Sequence, residues 1–468
     1  MPVDAPLTFG QLSTWRSIET FAADRLMEVN VPALWDVTGL DAAAIDNALR
    51  VLVRRHESLR TTFHIGADGL PFQRVHPDVP VRLERLDLPS VTAEDGARVL
   101  RELYARAFPV VGDPGWHATL MSAAGRPRYL AVSMSHMVVD VWAIRELQSQ
   151  LVELASGAAA GDGRGPGAAP RELAGLQHGE AWAAHRRGAE KYWKKLLTGG
   201  PLSNLPALPP RPDERRVQAT LRSHRLAVLV GEAAALHRVS PQSVLTALTG
   251  AALSGVLARR RITLSLMCAN RFDPRWQSIV STMNQLIPLV CSVDLDAPLS
   301  GFLKRTHLGS LLAYRHGSYD VDAVERLAAE APGEDGSLFV HDCWFNYVTE
   351  PAAGPDVPST SLEEAPDATL TWTPPARNAG HPFYLRVNGD GANWVELTVR
   401  ADPDLLGERE IGAVLRTVVL GARRAVTAPD GTVGRLLEDA ADAADAADGG
   451  GAELEVSLFP REPALAQG

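Results

Sequence analysis

Asp41 precedes apolar positions at Ile45, Leu49 and Val53, a spacing that predicts a capped helix with one buried face. The pattern then changes to strand-like runs, LRTTFHI and PFQRV, either side of a turn signal at Asp68-Gly69, which predicts a hairpin. A strand-like RLERLDL, a helix-like AEDGARVLRELYARAF and two further strand-like runs, HATLMS and RYLAVSM, follow. Next comes VWAIRELQSQLVEL, whose Ile144, Leu147, Leu151 and Leu154 are spaced for a helix buried on one side.

Residues 156–170, SGAAAGDGRGPGAAP, are too rich in Gly, Ala and Pro to build a core and read as a linker. A helical HGEAWAAHRRGAEKYWKKLL and a Pro-rich crossing lead into a second set of mixed elements. Strands are predicted at RITLSLMC, QLIPLVCSVD, FVHDCWFNYV, PFYLRVN and WVELTVR, and a helix from about Gly407 to Ala425. The pattern as a whole predicts an α/β protein with lobes at 1–175 and 176–437, and an acidic low-complexity tail, 438–468, that is disordered or loosely attached.

With 468 residues, 46% of them hydrophobic, the chain has enough apolar side chains for two or three packed units. A net charge of -10 argues against a surface that neutralises nucleic-acid phosphates, although a local basic patch is compatible with it. The N-terminus lacks a secretory pattern and no apolar run approaches the ~20 residues of a membrane span, so a cytoplasmic protein is expected. Cys268, Cys291 and Cys343 are odd in number and far apart, which predicts buried free thiols rather than disulfides or a metal knuckle.

The candidate chemistry lies in MSHMVVDVW, residues 134–142, where His136 and Asp140 stand four apart at the seam of a strand and a helix. Asp140 sits where an N-cap belongs, and a lone His at a strand end is commonly structural. Alternatively, the loop presents His136 to a cleft as a proton acceptor while Asp140 turns back to anchor the loop. A buried carboxylate needs a cation, and Arg60 in RHESLRTTF offers one. Motif spacing alone leaves both readings open.

These residues resemble the condensation domains of nonribosomal peptide synthetases, in the chloramphenicol acetyltransferase-like superfamily. SHMVVDV is similar to the family's His-His-x-x-x-Asp-Gly motif, with His136 as the second His and Asp140 as the Asp. LTFGQLSTW, RHESLRTTF, AFPVVGDPGWHATL, HGEAWAAHRRGAEKYWKKLLTG, NRFDPRWQSIVSTMNQLIPLVCSVD and SLFVHDCWFNYV resemble further family blocks in the same order, so the likeness covers nearly all of residues 5–430.

The resemblance implies two acetyltransferase-like lobes forming a V with a tunnel at their junction. It implies transfer of an acyl or aminoacyl thioester, carried on the 4'-phosphopantetheine of a partner carrier protein, to an amine, with no metal or cofactor bound by this chain. An ester-forming relative with a hydroxyl acceptor and a noncatalytic recruitment platform are the alternatives. Carried over by residue, His136 holds or deprotonates the nucleophile, Asp140 pairs with Arg60, the Val141 N–H supports the oxyanion, and Asn346 supplies a polar contact. Ser135, Trp142 and Asn284 are implied beside the substrate, Ser135 packing into the loop.

Two positions depart from the motif: Ser135 stands in place of the first His, and Val141 in place of the Gly, where it restricts the backbone. No adenylation-type phosphate loop and no carrier-type serine motif is found, so a free-standing enzyme meeting peptidyl or acyl carrier proteins in trans is expected. Because carrier proteins are also acidic, docking is expected at one or two local basic or apolar patches. RRGAEKYWKK, residues 186–195, is one such candidate, against the plainer reading of a solvated helix face.

Overall fold

The computed structural model describes residues 1–157, 168–206, 215–330, 341–349, 368–377, 381–390 and 393–445. Their contacts divide the chain into two compact units that are discontinuous in sequence. The first comprises Met1–Tyr192, Ala269–Gln285 and Ser318–Arg326, and the second holds the remainder. The division differs from a single cut at 175, because two later segments return to the first unit. Most of the expected linker, 158–167, lies outside the described residues.

The first unit contains β1 (Val3–Pro6), α1 (Phe9–Glu19), β2 (Asn30–Asp36), α2 (Ala42–Arg55), β3 (Thr61–Ile65), β4 (Pro71–Val75), β5 (Leu83–Leu88), α3 (Ala93–Tyr104), β6 (Trp116–Ala123), β7 (Arg126–Ser135), α4 (Val141–Ala155) and α5 (Pro170–His178). The predicted β3–β4 hairpin forms and extends to β1, while a second sheet runs β2-β7-β6-β5. Period-two alternation fixes its faces: Leu130, Val132 and Met134 join the core with Ile45, Leu49 and Ile144, whereas Ala131 and Met121 join Val99 and Leu103 of α3 on the other side. The unit boundary falls within α6 (Ala183–Leu197).

The second unit is built on one sheet. Its elements are β8 (Arg215–Ser223), α7 (His224–His237), α8 (Pro241–Val256), β9 (Arg261–Cys268), β10 (Gln285–Ser292), α9 (Leu299–Arg315), β11 (Cys343–Thr349), β12 (Ala368–Arg377), β13 (Phe383–Gly389), β14 (Val395–Ala401), α11 (Glu408–Thr427) and α12 (Val433–Asp445), with α10 (Val321–Glu330) starting in the first unit. The strand order is β10-β9-β11-β13-β14-β8-β12. Helix α8 is buried from Ser243 through Ser254, its apolar and small residues leaving no charged side chain to keep in water and its Thr246 and Thr249 hydroxyls donating to carbonyls one turn back. Gly421 lets α11 approach it, since a Cβ there would collide with the Leu248 side chain.

Residues 438–445 of the expected tail are not loose: they continue α12, which buries Val433, Leu436 and Ala440. Ala440 of the repeat continues the buried face set by Val433 and Leu436, while Asp439 pairs with Arg424 and Arg435. The rest of the tail, 446–468, lies outside the described residues. All three cysteines are free and buried.

The start of β11 carries a polar cluster inside the second unit. His341 Nδ1 lies 2.7 Å from Ser265 Oγ, and Trp344 stacks on His381. Burial pushes the His341 imidazole down to about 3. It also holds His381 well below the ordinary histidine range, helped by charge on His341, Arg400 and Arg216. Below about pH 6.5 the unfolded chain takes up protons that these folded rings refuse, so stability falls with pH, by up to about 1.4 kcal/mol per pH unit for each ring, until the folded pKa is reached. Urea unfolding at pH 7 and pH 5 should show this loss, and His341→Asn should flatten it; an unchanged slope would show that His341 does not drive it.

Candidate active site

Strand β7 is flanked on both sides at its end, Ser135 opposite Asn30 of β2 and Met134 opposite Trp116 of β6. The chain then turns tightly. The Ser135 carbonyl accepts from the N–H groups of Val138 and Val139, its hydroxyl accepts from Met137 N at 3.3 Å, and His136 N donates to the Val29 carbonyl at 2.8 Å. Met137, Val138 and Val139 bury their side chains in the core and pin the turn, leaving His136 as its partly exposed member. Ser135, expected beside the substrate, is buried and its hydroxyl serves the turn.

Asp140 combines the two roles that its spacing left open. Its Oδ1 caps α4, accepting from Trp142 N at 3.1 Å and Ala143 N at 2.8 Å, and also accepts from Arg271 Nη2 at 2.8 Å. Its Oδ2 accepts from Met283 N at 3.1 Å. With only 1% of Asp140 exposed, these four donors offset the cost of burying its charge. Arg271 in turn donates to the carbonyls of Ile279 at 2.8 Å, Gln277 at 3.1 Å and Ser281 at 3.1 Å.

The expected Arg60–Asp140 pair is therefore corrected to Arg271–Asp140. Arg60 ends a short 3-10 turn, its own carbonyl accepts from His76 N, and its guanidinium runs the same way to the His76 carbonyl. The RHESLRTTF block supports the site through other side chains: Ser58 Oγ donates to the Val280 carbonyl at 2.6 Å, and His56 Nε2 lies 3.0 Å from Gln150 of α4.

The segment from Asn270 to Asn284 thus forms the second wall of the site within the first unit. Asn270 takes a left-handed backbone, φ 54°, which asparagine tolerates, and donates to the Met283 carbonyl at 2.9 Å. Helix α1 passes so close that a Cβ on Gly10 would lie 2.6 Å from the Thr282 carbonyl oxygen. Thr282 Oγ1 donates to Asn284 Oδ1 at 2.9 Å and lies 3.3 Å from His136 Nδ1. In the tautomer with its proton on Nδ1, the ring donates to Thr282 Oγ1 and keeps its lone pair on Nε2.

Burial lowers the His136 pKa below the ordinary histidine value, partly offset by the Asp140 carboxylate and by the backbone carbonyls of His136 and Val139. The ring is consequently a neutral proton acceptor at pH 7 and remains one somewhat below pH 6.5. Val141 opens α4 with an ordinary right-handed backbone and is absent from the positive-φ residues, so valine in place of glycine costs no backbone strain. Among the described residues no acceptor takes the Val141 N–H, which lies at the positive end of α4. Trp142 is half-buried, with the Arg145 guanidinium 5.5 Å from its ring centre.

Ser135, His136, Asp140, Val141, Trp142 and Asn284 all belong to the first unit, and Arg60 belongs there but serves a different contact. Asn346 is on β11 of the second unit, where its Nδ2 donates to Tyr384 Oη at 3.0 Å. Arg271 and Thr282 were missed as site residues, although NRFDPRWQSIVSTMN, which contains both, stood out as a block. No described cluster of three or more His, Cys, Asp or Glu could hold a metal, and no described helix is long and apolar enough to cross a membrane.

If Thr282 sets the tautomer, Thr282→Val should lower kcat about 3- to 10-fold, the equivalent of one net hydrogen bond of about 0.5–1.5 kcal/mol. It should also move the acid limb of the pH–rate profile to lower pH, with the KM for donor unchanged. A pH profile identical to that of the unaltered chain would rule the contact out.

Fold and site together define an α/β protein of the chloramphenicol acetyltransferase-like class. The chain belongs to the condensation domain family, whose model matches residues 6–388. It is 28% identical over 385 residues to a linear gramicidin synthase protein of Brevibacillus parabrevis, covering 77% of this chain and 5% of that protein. It is 30% identical over 360 residues to a probable non-canonical nonribosomal peptide synthetase, CymA, of Salinispora arenicola, covering 71% of this chain and 4% of that one. The match to enniatin synthase of Fusarium equiseti, 33% identical, covers 37% of this chain and 6% of the relative, so the chain spans only a small part of these proteins.

Among solved structures, the condensation domain of the monacolin K polyketide synthase MokA aligns with a TM-score of 0.73 at 17% identity, covering 92% of this chain and 99% of that one. The SgcC5 protein of Streptomyces globisporus aligns with a TM-score of 0.70 at 21% identity, covering 91% and 100%. At such identities the likeness establishes the fold.

Proposed function

We propose that this chain is a cytoplasmic acyltransferase that joins a carrier-bound acyl or aminoacyl thioester to an amine. The observation that carries the reading is the His136 ring, its Nδ1 3.3 Å from Thr282 Oγ1, beside a helix terminus braced by Asp140 and Arg271. In this scheme the amine nitrogen attacks the thioester carbonyl carbon and its proton passes to His136 Nε2. The carbonyl oxygen, now carrying the electron pair, is stabilised by the Val141 N–H and the positive end of α4. Collapse expels the phosphopantetheine thiolate, which takes up the proton as a thiol, and the amide C–N bond remains.

Asp140, Arg271 and Thr282 position the ring, while Trp142 and Asn284 border the substrate. Asn346 is retained as a polar contact from the second unit. Phosphopantetheine arrives on the carrier protein as part of the substrate. The test is incubation of the chain with acyl-loaded holo carrier proteins and amine or hydroxyl acceptors, read by mass spectrometry. Amide that forms only when the chain is present is the expected result. Ester with no amide would transfer the reading to a hydroxyl acceptor, and the absence of both products would favour a recruitment platform.

A further inference from the structure

Helix α9 presents a face to solvent that the packing of the second unit leaves unexplained. Its Phe302, Leu303, Thr306, Ser310 and Ala313 are buried, whereas Leu308, Leu311 and Leu312 are 66%, 54% and 47% exposed. The three leucines are spaced i, i+3, i+4 and form one continuous apolar patch. Exposed Lys304 and Arg305 precede it by about a turn, and exposed Arg315 follows it. The helix contains no acidic residue, and none of these three cations has a carboxylate partner among the described residues.

An apolar centre with cations at both ends, on a chain whose net charge is -10, calls for an occupant of opposite charge. A second copy of the chain fits poorly, because antiparallel pairing of two such faces brings Arg315 of each against Lys304 and Arg305 of the other. The basic stretch at 186–195 is a weaker alternative: it includes Glu190, and its Arg186 is spent on the carbonyls of Gln177 and Gly179.

We propose that the exposed face of α9 docks an acidic amphipathic helix of the carrier protein, its leucines packing against apolar residues while Lys304, Arg305 and Arg315 meet carboxylates. This rests on the carrier-dependent reading above. Lipid surfaces carry the same charge, and the experiment separates them.

The full chain, with Leu308→Asp/Leu311→Asp or Lys304→Glu/Arg305→Glu, is titrated with the tightest-binding holo carrier protein from the source genome. Turnover is measured in parallel with that carrier as donor and with a small soluble acyl thioester. Tenfold or greater weakening of carrier binding is expected in both variants, with matching loss of turnover from carrier-bound donor and unchanged turnover from the small thioester. A carrier bearing Glu→Lys changes should restore binding to the Lys304→Glu/Arg305→Glu variant.

Unchanged carrier affinity in both variants overturns the proposal, as does wild-type binding to phosphatidylserine vesicles but to no carrier. If the wild type turns over neither donor yet the variants still lose carrier binding, the docking face stands and the catalytic reading falls. If small-thioester turnover persists while carrier affinity is unaffected by either variant, the reverse holds.

Discussion

Replacing Arg271 by alanine is expected to lower unfolding free energy by about 3–5 kcal/mol, because the Asp140 carboxylate would stay buried without its cation. The guanidinium is largely buried, held between Asp140 and the carbonyls of Ile279, Gln277 and Ser281, so its loss frees that loop as well as the charge. Arg60→Ala, by contrast, removes a hydrogen bond to one carbonyl and should cost about 0.5–1.5 kcal/mol. Adding Asp140→Asn to Arg271→Ala should recover part of the loss, since an amide carries no charge to leave unpaired. Urea denaturation of the four chains checks this. Equal effects of the two arginine changes would return Asp140 to Arg60.

The second large effect concerns rate. If His136 accepts the proton, His136→Ala should reduce single-turnover amide formation about 10²- to 10⁴-fold, which corresponds to about 3–5 kcal/mol of barrier. Stability should change little, because the ring is partly exposed and its hydrogen bond to Thr282 is long, at 3.3 Å. The acid limb of the unaltered chain should lie below pH 6.5, since burial depresses the imidazole pKa and keeps the neutral form dominant there. Single-turnover mass spectrometry with a loaded carrier protein provides the measurement. A loss of less than tenfold would make His136 a positioning group and move proton transfer to water or to the substrate amine.

The local elements were largely legible. The helix from Ile45 to Val53, the hairpin around Gly69, the strand into MSHMVVDVW and the helix after it all form, because each depends on neighbours two to four residues away. The acidic end misled, since DAADAA reads as low complexity while its start continues a helix that packs through Val433, Leu436 and Ala440. Strands β8 and β12 were not singled out, being recognisable mainly through pairing with each other, as Leu221 opposite Leu370.

The amino-acid sequence by itself determined the fold class, the ordered family blocks, and His136 with Asp140 at a strand–helix seam. Those features are local in period and order. Tertiary structure decided which cation meets Asp140 and what fixes His136, because Arg271 lies 131 residues and Thr282 146 residues along the chain from them. Two arginines, Arg60 and Arg271, were chemically able to serve. Only the path of the backbone, with Arg60 directed along the end of β4 and the Asn270–Asn284 segment folded over the turn, selects between them.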